Sequence, residues 1–319
     1  MATDRHIRYL VHDDIDKRRW DECMAGASNG LVYGQSFYLD TMAPQWHALV
    51  LNGYEAVMPL PWRRKAGFSY LFQPSMTPIL GIFGQNIDTA LAARFLEAIP
   101  ASFTLWDISL NHFNPLPPEM ARYVYTRNNF VLSLRPSYDK IQASYHRNIT
   151  RNIDKATRKG CRLQKDLPVE ELIALCEKQF PLFTRVEPGL FQRLENIYRR
   201  FAADIKIYGV RNALDELLAA CAFLFYGGRV YYWLVGNAPQ NREYGASSLL
   251  LDCFIRDHAR QPFTLDFEGS DHPGVAGFYK GFGAVNESFH TIYRNRLPFP
   301  LNLLKRVPSH YRRLASGLA

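Results

Sequence analysis

Cysteine is scarce. The 319 residues hold five, Cys23, Cys161, Cys176, Cys221 and Cys253, odd in number, far apart and nowhere in a C-x-x-C spacing. Neither a disulfide framework nor a zinc ribbon is expected from them, and a reducing cytoplasm follows as the default setting. No H-E-x-x-H occurs and the nine histidines are dispersed, so no metal centre is expected. Long apolar runs are missing too: the longest, Leu217 to Phe225, falls well short of the roughly 20 residues of a membrane span. No apolar region follows Asp4 and Arg5, so neither a cleavable export signal nor a transmembrane anchor is expected. Ser270, Asp271 and His272 are adjacent but lack a nucleophile elbow, which argues against a hydrolytic triad. Acid is absent from one end. After Glu287 only cations follow, Arg294, Arg296, Lys305, Arg306, Arg312 and Arg313, and these six supply most of the formal +8.

What is present is 47% hydrophobic, 14% aromatic and 21% charged, the profile of a globular protein with a large core. The length suggests two domains. The basic excess favours anionic partners such as phosphates, nucleic acid or an acidic membrane surface. Asn52-Gly53 between apolar runs predicts a hairpin. A helix over 89–98 and a strand over 103–108 follow, and the composition shifts near Pro136 to Tyr138. The boundaries expected are 1–137, 138–298 and a basic tail, 299–319. The second domain reads as a basic helix (145–160), a short strand, two helices (169–183 and 189–203) and three strands (205–211, 219–226, 230–235). Gly227-Gly228 turns the last pair. A loop, a helix (246–260), a strand (263–268), a short helix (274–281) and a strand (289–293) complete it.

Three constellations carry chemistry. In the basic helix Arg147, Arg151, Lys155 and Arg158 share one face, while Tyr145, Ile149, Ile153 and Ala156 share another. The run Arg242-Glu243-Tyr244-Gly245-Ala246-Ser247 follows a strand and opens a helix, where unpaired backbone N–H groups and the dipole attract an anion such as pyrophosphate. An ordinary strand-to-helix turn reads equally well. Asp266 and Glu268 alternate along a strand, so both project to one face, suited to a general base or to orienting an amine. Capping of the next helix is the plainer role for Glu268. Lys280, between aromatics in a Gly-flanked turn, suits stabilisation of a phosphate or an oxyanion.

Tyr145-His146-Arg147-Asn148-Ile149 with Arg151-Asn152-Ile153 and Ala156 to Gly160, then Asp266 to Ser270, then Phe278-Tyr279-Lys280-Gly281-Phe282-Gly283, resemble in order and spacing the motifs of the FemAB-like branch of GNAT acyltransferases. The resemblance covers about residues 140–295. It implies an α/β fold of two tandem GNAT-like domains, with mixed, mostly antiparallel sheets flanked by helices and a site in the cleft between domains. It implies direct transfer of an acyl or aminoacyl group from acyl-CoA or aminoacyl-tRNA to the amine of a small molecule or peptide, with no tightly bound cofactor and no metal. By the same resemblance Arg242, Tyr244, Gly245, Ala246 and Ser247 hold the donor, although Ser247 stands where Gly or Ala is usual. Lys280 stabilises negative charge, Asp266 or Glu268 orients or deprotonates the amine, Tyr279 protonates the leaving group, and Arg147 and Arg151 grip a phosphorylated substrate.

A reading of another class is a non-catalytic degenerate GNAT module that docks on a membrane surface or nucleic acid through the Arg147 helix and the tail. There Leu301, Leu303, Leu304, Val307 and Leu314 lie beside cations, as in a peripheral membrane helix, interrupted by Pro308.

Overall fold

A ten-residue strand with an unbroken apolar interior, residues 217–226, needs cover on both faces, and the second half of the chain is arranged to supply it. The structure, a computed structural model, describes residues 6–43 and 45–304. The chain splits into two units: Met1–Asn128 with Ser288–Ala319, and Asn129–Glu287. The strands are β1 (Ile7–Leu10), β2 (Trp46–Leu51), β3 (Ala56–Lys65), β4 (Phe68–Leu71), β5 (Phe83–Gly84), β6 (Phe103–Leu110), β7 (Val124–Arg127), β8 (Phe130–Ser133), β9 (Arg162–Lys165), β10 (Ile205–Arg211), β11 (Leu217–Tyr226), β12 (Arg229–Asn237), β13 (Thr264–Asp266), β14 (Val285–Asn286) and β15 (Phe289–Asn295). The helices are α1 (Lys17–Gly26), α2 (Ser36–Met42), α3 (Thr89–Glu97), α4 (Tyr138–Gln142), α5 (Arg147–Arg158), α6 (Val169–Gln179), α7 (Leu190–Arg200), α8 (Asn241–Tyr244), α9 (Ala246–His258), α10 (Pro273–Lys280) and α11 (Leu301–Leu304). No helix among the described residues is long and apolar enough to cross a membrane.

In the first unit the strand order is β1-β2-β3-β4-β6-β15-β7, with β5 beside β3. The Asn52-Gly53 hairpin forms as expected, with Asn52 and Tyr54 at φ 48° and 75°. Strand β4, Phe68–Leu71, pairs with both β3 and β6. Buried asparagines close irregular backbone here. Asn29 Nδ2 donates to the Ile82 carbonyl at 2.8 Å, and Asn114 Oδ1 accepts the Ile82 N–H at 2.8 Å.

The second sheet runs β14-β8-β13-β12-β11-β10-β9, antiparallel throughout except for β12 beside β13. Every residue from Leu218 to Leu224 is buried, which is why β11 reads as a continuous apolar run rather than an alternation. Helix α9 packs on β10 and β11, and α6 on β11 and β12. Phe223 stacks on Phe254 at 3.6 Å between ring centroids. Gly227 and Gly228, at φ 56° and 77°, make the tight turn between β11 and β12. One residue of β12, Trp233, is extra in the register, since Ala222 faces Leu234 and Phe223 faces Tyr232; such a bulge bends the strand.

Two boundaries differ from expectation. Phe130–Ser133 lies before the expected junction at 137, yet it pairs with β13 and β14 in the second sheet. Residues 289–293, expected as the last strand of the second domain, lie in β15 and pair instead with β6 and β7. Of the tail, Leu301–Leu304 forms α11, and the positions from Lys305 onward, with Val307, Pro308 and Leu314, lie outside the described residues.

At the C-terminal end of α9 the His258 ring, 2% exposed, stacks on Phe254 at 4.1 Å. Its Nδ1–H donates to the Phe254 carbonyl at 2.9 Å, leaving Nε2 to accept from Lys206 Nζ at 3.2 Å. Burial holds this imidazole below its ordinary value, as it does His47 and His290. A depressed histidine stabilises the fold above the unfolded value of about 6.5, and the contribution is lost as pH falls through the folded value. Unfolding free energy from urea titration should therefore decline between about pH 7 and pH 5, and His258→Gln should flatten that slope in part. An unchanged slope would remove His258 from the acid response.

Candidate functional site

Parallel β12 and β13 stay together for three pairs only, Arg229 with Thr264, Val230 with Leu265 and Tyr231 with Asp266. Beyond Asp266 the chain turns away. Phe267 N–H donates to the Phe130 carbonyl at 2.9 Å, and Glu268 and Gly269 take φ 59° and 80°. Strand β12 continues to Asn237 without its partner, and a cleft of about 800 Å³ opens there.

Asp266 sits at the fork, 5% exposed. It pairs with Arg229 Nη1 at 2.8 Å and accepts the Glu268 N–H at 2.9 Å. The other guanidinium nitrogen, Nη2, meets both Glu287 oxygens at 2.9 and 2.7 Å. The expectation that Asp266 and Glu268 share one strand face is not met: the strand ends at Asp266, and the left-handed backbone of Glu268 breaks the alternation. Asp266 spends its oxygens on the fork itself.

Three walls surround the cleft: α5, the α8–α9 corner and α10, all within the second unit. Helix α5 packs closely on α9 because Gly245 has no side chain. A Cβ there would lie 2.5 Å from the Asn152 carbonyl oxygen, and Gly245 has φ 79°. The predicted anion loop is wound into the single helical turn α8. Gly245 N–H donates to the Asn241 carbonyl at 2.8 Å, Ser247 N–H to Asn241 Oδ1 at 2.9 Å, and Ser247 Oγ to Asn237 Oδ1 at 2.6 Å. Several donors that the sequence offered to a pyrophosphate thus already have partners within the loop.

Of the residues singled out in the sequence, Arg242, Gly245, Ser247 and Tyr279 line the cleft. Tyr279 is 9% exposed and stacks on Phe267 at 4.5 Å. Burial, followed by the charge of Glu268, pushes its phenol well above the ordinary range, so it stays protonated. Ala246 is buried in the core, and Tyr244 lies under the Lys159 ammonium at 4.5 Å. Lys280 is the last residue of α10 rather than part of a turn; it is exposed, with Nζ 5.5 Å from the Phe130 ring centroid, and does not line the cleft. Arg147 and Arg151 are exposed on α5, and the cleft is lined by the next residue after each, Asn148 and Asn152.

Asn148, Asn152 and Phe183 were not legible as site residues. The asparagines do show a signal, an i, i+4 repeat one step out of phase with the arginines. Phe183, in the connection between α6 and α7, shows none. No group of three or more His, Cys, Asp or Glu that could hold a metal occurs among the described residues.

Residues 143–280 match the family described as acetyltransferase (GNAT) domain. No curated protein matches the chain by sequence. Among solved structures FemX aligns with a TM-score of 0.64 at 13% identity, over 93% of this chain and 99% of that one. A conserved protein of unknown function from Bacteroides thetaiotaomicron gives 0.59 at 9% identity, over 91% and 100%. The C-terminal domain of a putative lysylphosphatidylglycerol synthetase from Agrobacterium fabrum gives 0.52 at 11%, over 91% and 94%. Residues 143–280 thus carry the GNAT acetyltransferase domain signature, and the chain shares its two-sheet fold with FemX.

Two substitutions test how the cleft is held. Gly245→Ala forces a left-handed alanine against the Asn152 carbonyl and should lower stability by about 2 kcal/mol or more. Arg229→Met leaves Asp266 and Glu287 facing each other without their cation, for a loss of roughly 3 kcal/mol. Chemical denaturation measures both; a loss below about 0.5 kcal/mol in either would show that the corresponding contact does not hold the fork or the helix pair.

Proposed function

We propose that the second unit transfers an acyl or aminoacyl group directly from an activated carrier to an amine bound in this cleft. The observation that carries the reading is the presence, where the two parallel strands part, of a buried protonated phenol, Tyr279, together with one cation, Arg242. In the reaction the amine nitrogen attacks the acyl carbonyl carbon and a C–N bond forms. The carrier's C–S or C–O bond then breaks, the leaving atom takes the Tyr279 proton, the amine gives up its own proton to solvent, and Tyr279 regains a proton from solvent.

Acyl-CoA and aminoacyl-tRNA both carry phosphate, which Arg242 is suited to meet with a charge-assisted bond. No ion pair engages its side chain among the described residues. Because Gly245 and Ser247 N–H groups already have partners, the reading assigns phosphate contact to the Arg242 side chain more than to the loop backbone. The exposed Arg147 and Arg151 would extend that contact to a polyanionic carrier such as tRNA. Glu268 is assigned to keeping Tyr279 protonated, and Asp266 to holding the fork. Lys280 lies outside the cleft lining and receives no contact with the reacting atoms in this reading.

The test is transfer to hydroxylamine, a general amine, from a panel of acyl-CoAs and charged tRNA, preceded by thermal shift with the same donors. Tyr279→Phe should reduce kcat by about a hundredfold or more with the melting temperature little changed. Arg242→Ala should raise KM for the donor about tenfold, and Lys280→Ala should stay within about threefold of the parent. Full activity in Tyr279→Phe would overturn the proton-donor assignment. Failure of every donor either to shift the melting temperature or to react would favour an anion-docking module.

A further inference from the structure

The cleft lining is unusual in what it omits. Arg242 is its one ionised side chain; no Asp, Glu, Lys or His takes part. The carboxylates near its walls are engaged elsewhere, Glu243 with Lys159 at 2.6 Å and Asp266 with Arg229 at 2.8 Å, and Glu268, which acts on Tyr279, is not among the lining residues. Beside the hydroxyls of Tyr232, Ser247, Ser248 and Tyr279, the lining has two further chemistries. Asn148, Asn152, Asn237 and Asn241 supply neutral carboxamides, while Phe183, Val235, Val275 and Phe278 supply apolar surface.

Phe183 is the odd member, because it is 78% exposed. An aromatic ring left in water at the edge of a cleft forgoes burial that a bound apolar group would restore. Val275, 38% exposed, lines the same cleft and waits for the same cover. A free ammonium, by contrast, would find Arg242 of its own sign there and no counter-charge, and desolvating it without a partner is costly.

Building on the transfer reading above, the geometry points to an acyl group that is apolar, uncharged and longer than acetyl, with Phe183 as a residue that selects it. The cleft would discriminate against an aminoacyl group bearing a free α-ammonium. An acetyl group offers only two carbons to this apolar lining, whereas a branched or linear chain of five or six carbons has the surface to cover Phe183 and Val275 as well.

The product of any such transfer is an N-acyl amide, so three neutral or cationic amides test the inference without a choice of carrier. These are N-methyl 4-methylpentanamide, N-methyl acetamide and N-methyl leucinamide, the last differing from the first only by the α-ammonium. Binding to the full chain is read by calorimetry or thermal shift. The 4-methylpentanoyl amide should bind at least about tenfold more tightly than either of the others. Phe183→Ala should weaken it about fivefold and leave the acetamide unchanged; the side chain is exposed, so the variant folds. Equal or tighter binding of the leucinamide, no binding of any amide, or an indifferent Phe183→Ala overturns the inference, whether or not the chain proves active. The expected order of binding together with no transfer from any donor would uphold the inference and overturn the transfer reading instead.

Discussion

The parting of β12 from β13 is the constraint on which the rest depends. Parallel strands normally continue side by side until a loop takes over, and these two separate after three residue pairs because β13 stops. The stop is made by chemistry rather than by length. Asp266 holds Arg229 and the Glu268 amide at once, Arg229 reaches Glu287, and the chain then turns through two residues of positive φ. A left-handed Glu costs about 1–2 kcal/mol that a glycine there would avoid. The fork therefore stores strain next to Tyr279, the setting in which backbone outliers tend to accompany function.

With the fork in place, three helices close on the opening, and their approach depends on small side chains. Gly245 lets α5 meet the α8–α9 corner, and Gly281 lies where a Cβ would be 2.7 Å from Ile149 Cγ1 of the same α5. His146 N–H also donates to the Gly281 carbonyl at 2.8 Å, tying the start of α5 to the end of α10. So α5 is held at its start and at its middle by close contacts at glycines. Its asparagine edge is set against the cleft and its arginine edge is left in water, as follows from the 3.6-residue repeat.

Much of this order was legible in the sequence. Period and punctuation locate α5, β10, β11, β12, α9 and α10 within a few residues, since each is long or bounded by Gly. The family motifs at 145–160, 266–270 and 278–283 also mark three segments that build the fork and its walls. Phe130–Ser133 escaped because four apolar residues between Asn129 and Arg135-Pro136 look like a linker until the partner strands β13 and β14 are known. The place of residues 289–295 escaped for the same reason: a strand's sequence shows that it pairs but not with which sheet. Within the site, Arg242, Gly245, Ser247 and Tyr279 were legible from motif position. The internal hydrogen bonds of α8 were not, because the capping of Ser247 by Asn241 depends on a helical turn that a Gly-containing loop does not announce.

The proton inventory of the cleft bears on what can react there. Tyr279 is held protonated by burial and by Glu268, so it can give a proton or a hydrogen bond but cannot take a proton at neutral pH. No lining residue replaces it as a base, since Arg242 keeps its charge and asparagine does not titrate. An amine must therefore shed its proton to water before or during attack. An alkyl ammonium with a pKa like that of lysine, about 10.4, is neutral in less than about one molecule in a thousand at pH 7. A weakly basic amine is already largely in the attacking form. In a cleft with one cation and no carboxylate the same bias appears in binding, because the protonated amine is repelled where the neutral one is accepted. Acceptor basicity and cleft charge thus act in the same direction. For transfer of the kind proposed, the chain's rate with a given acceptor is set as much by how readily that amine arrives uncharged as by how well its carbon skeleton fits.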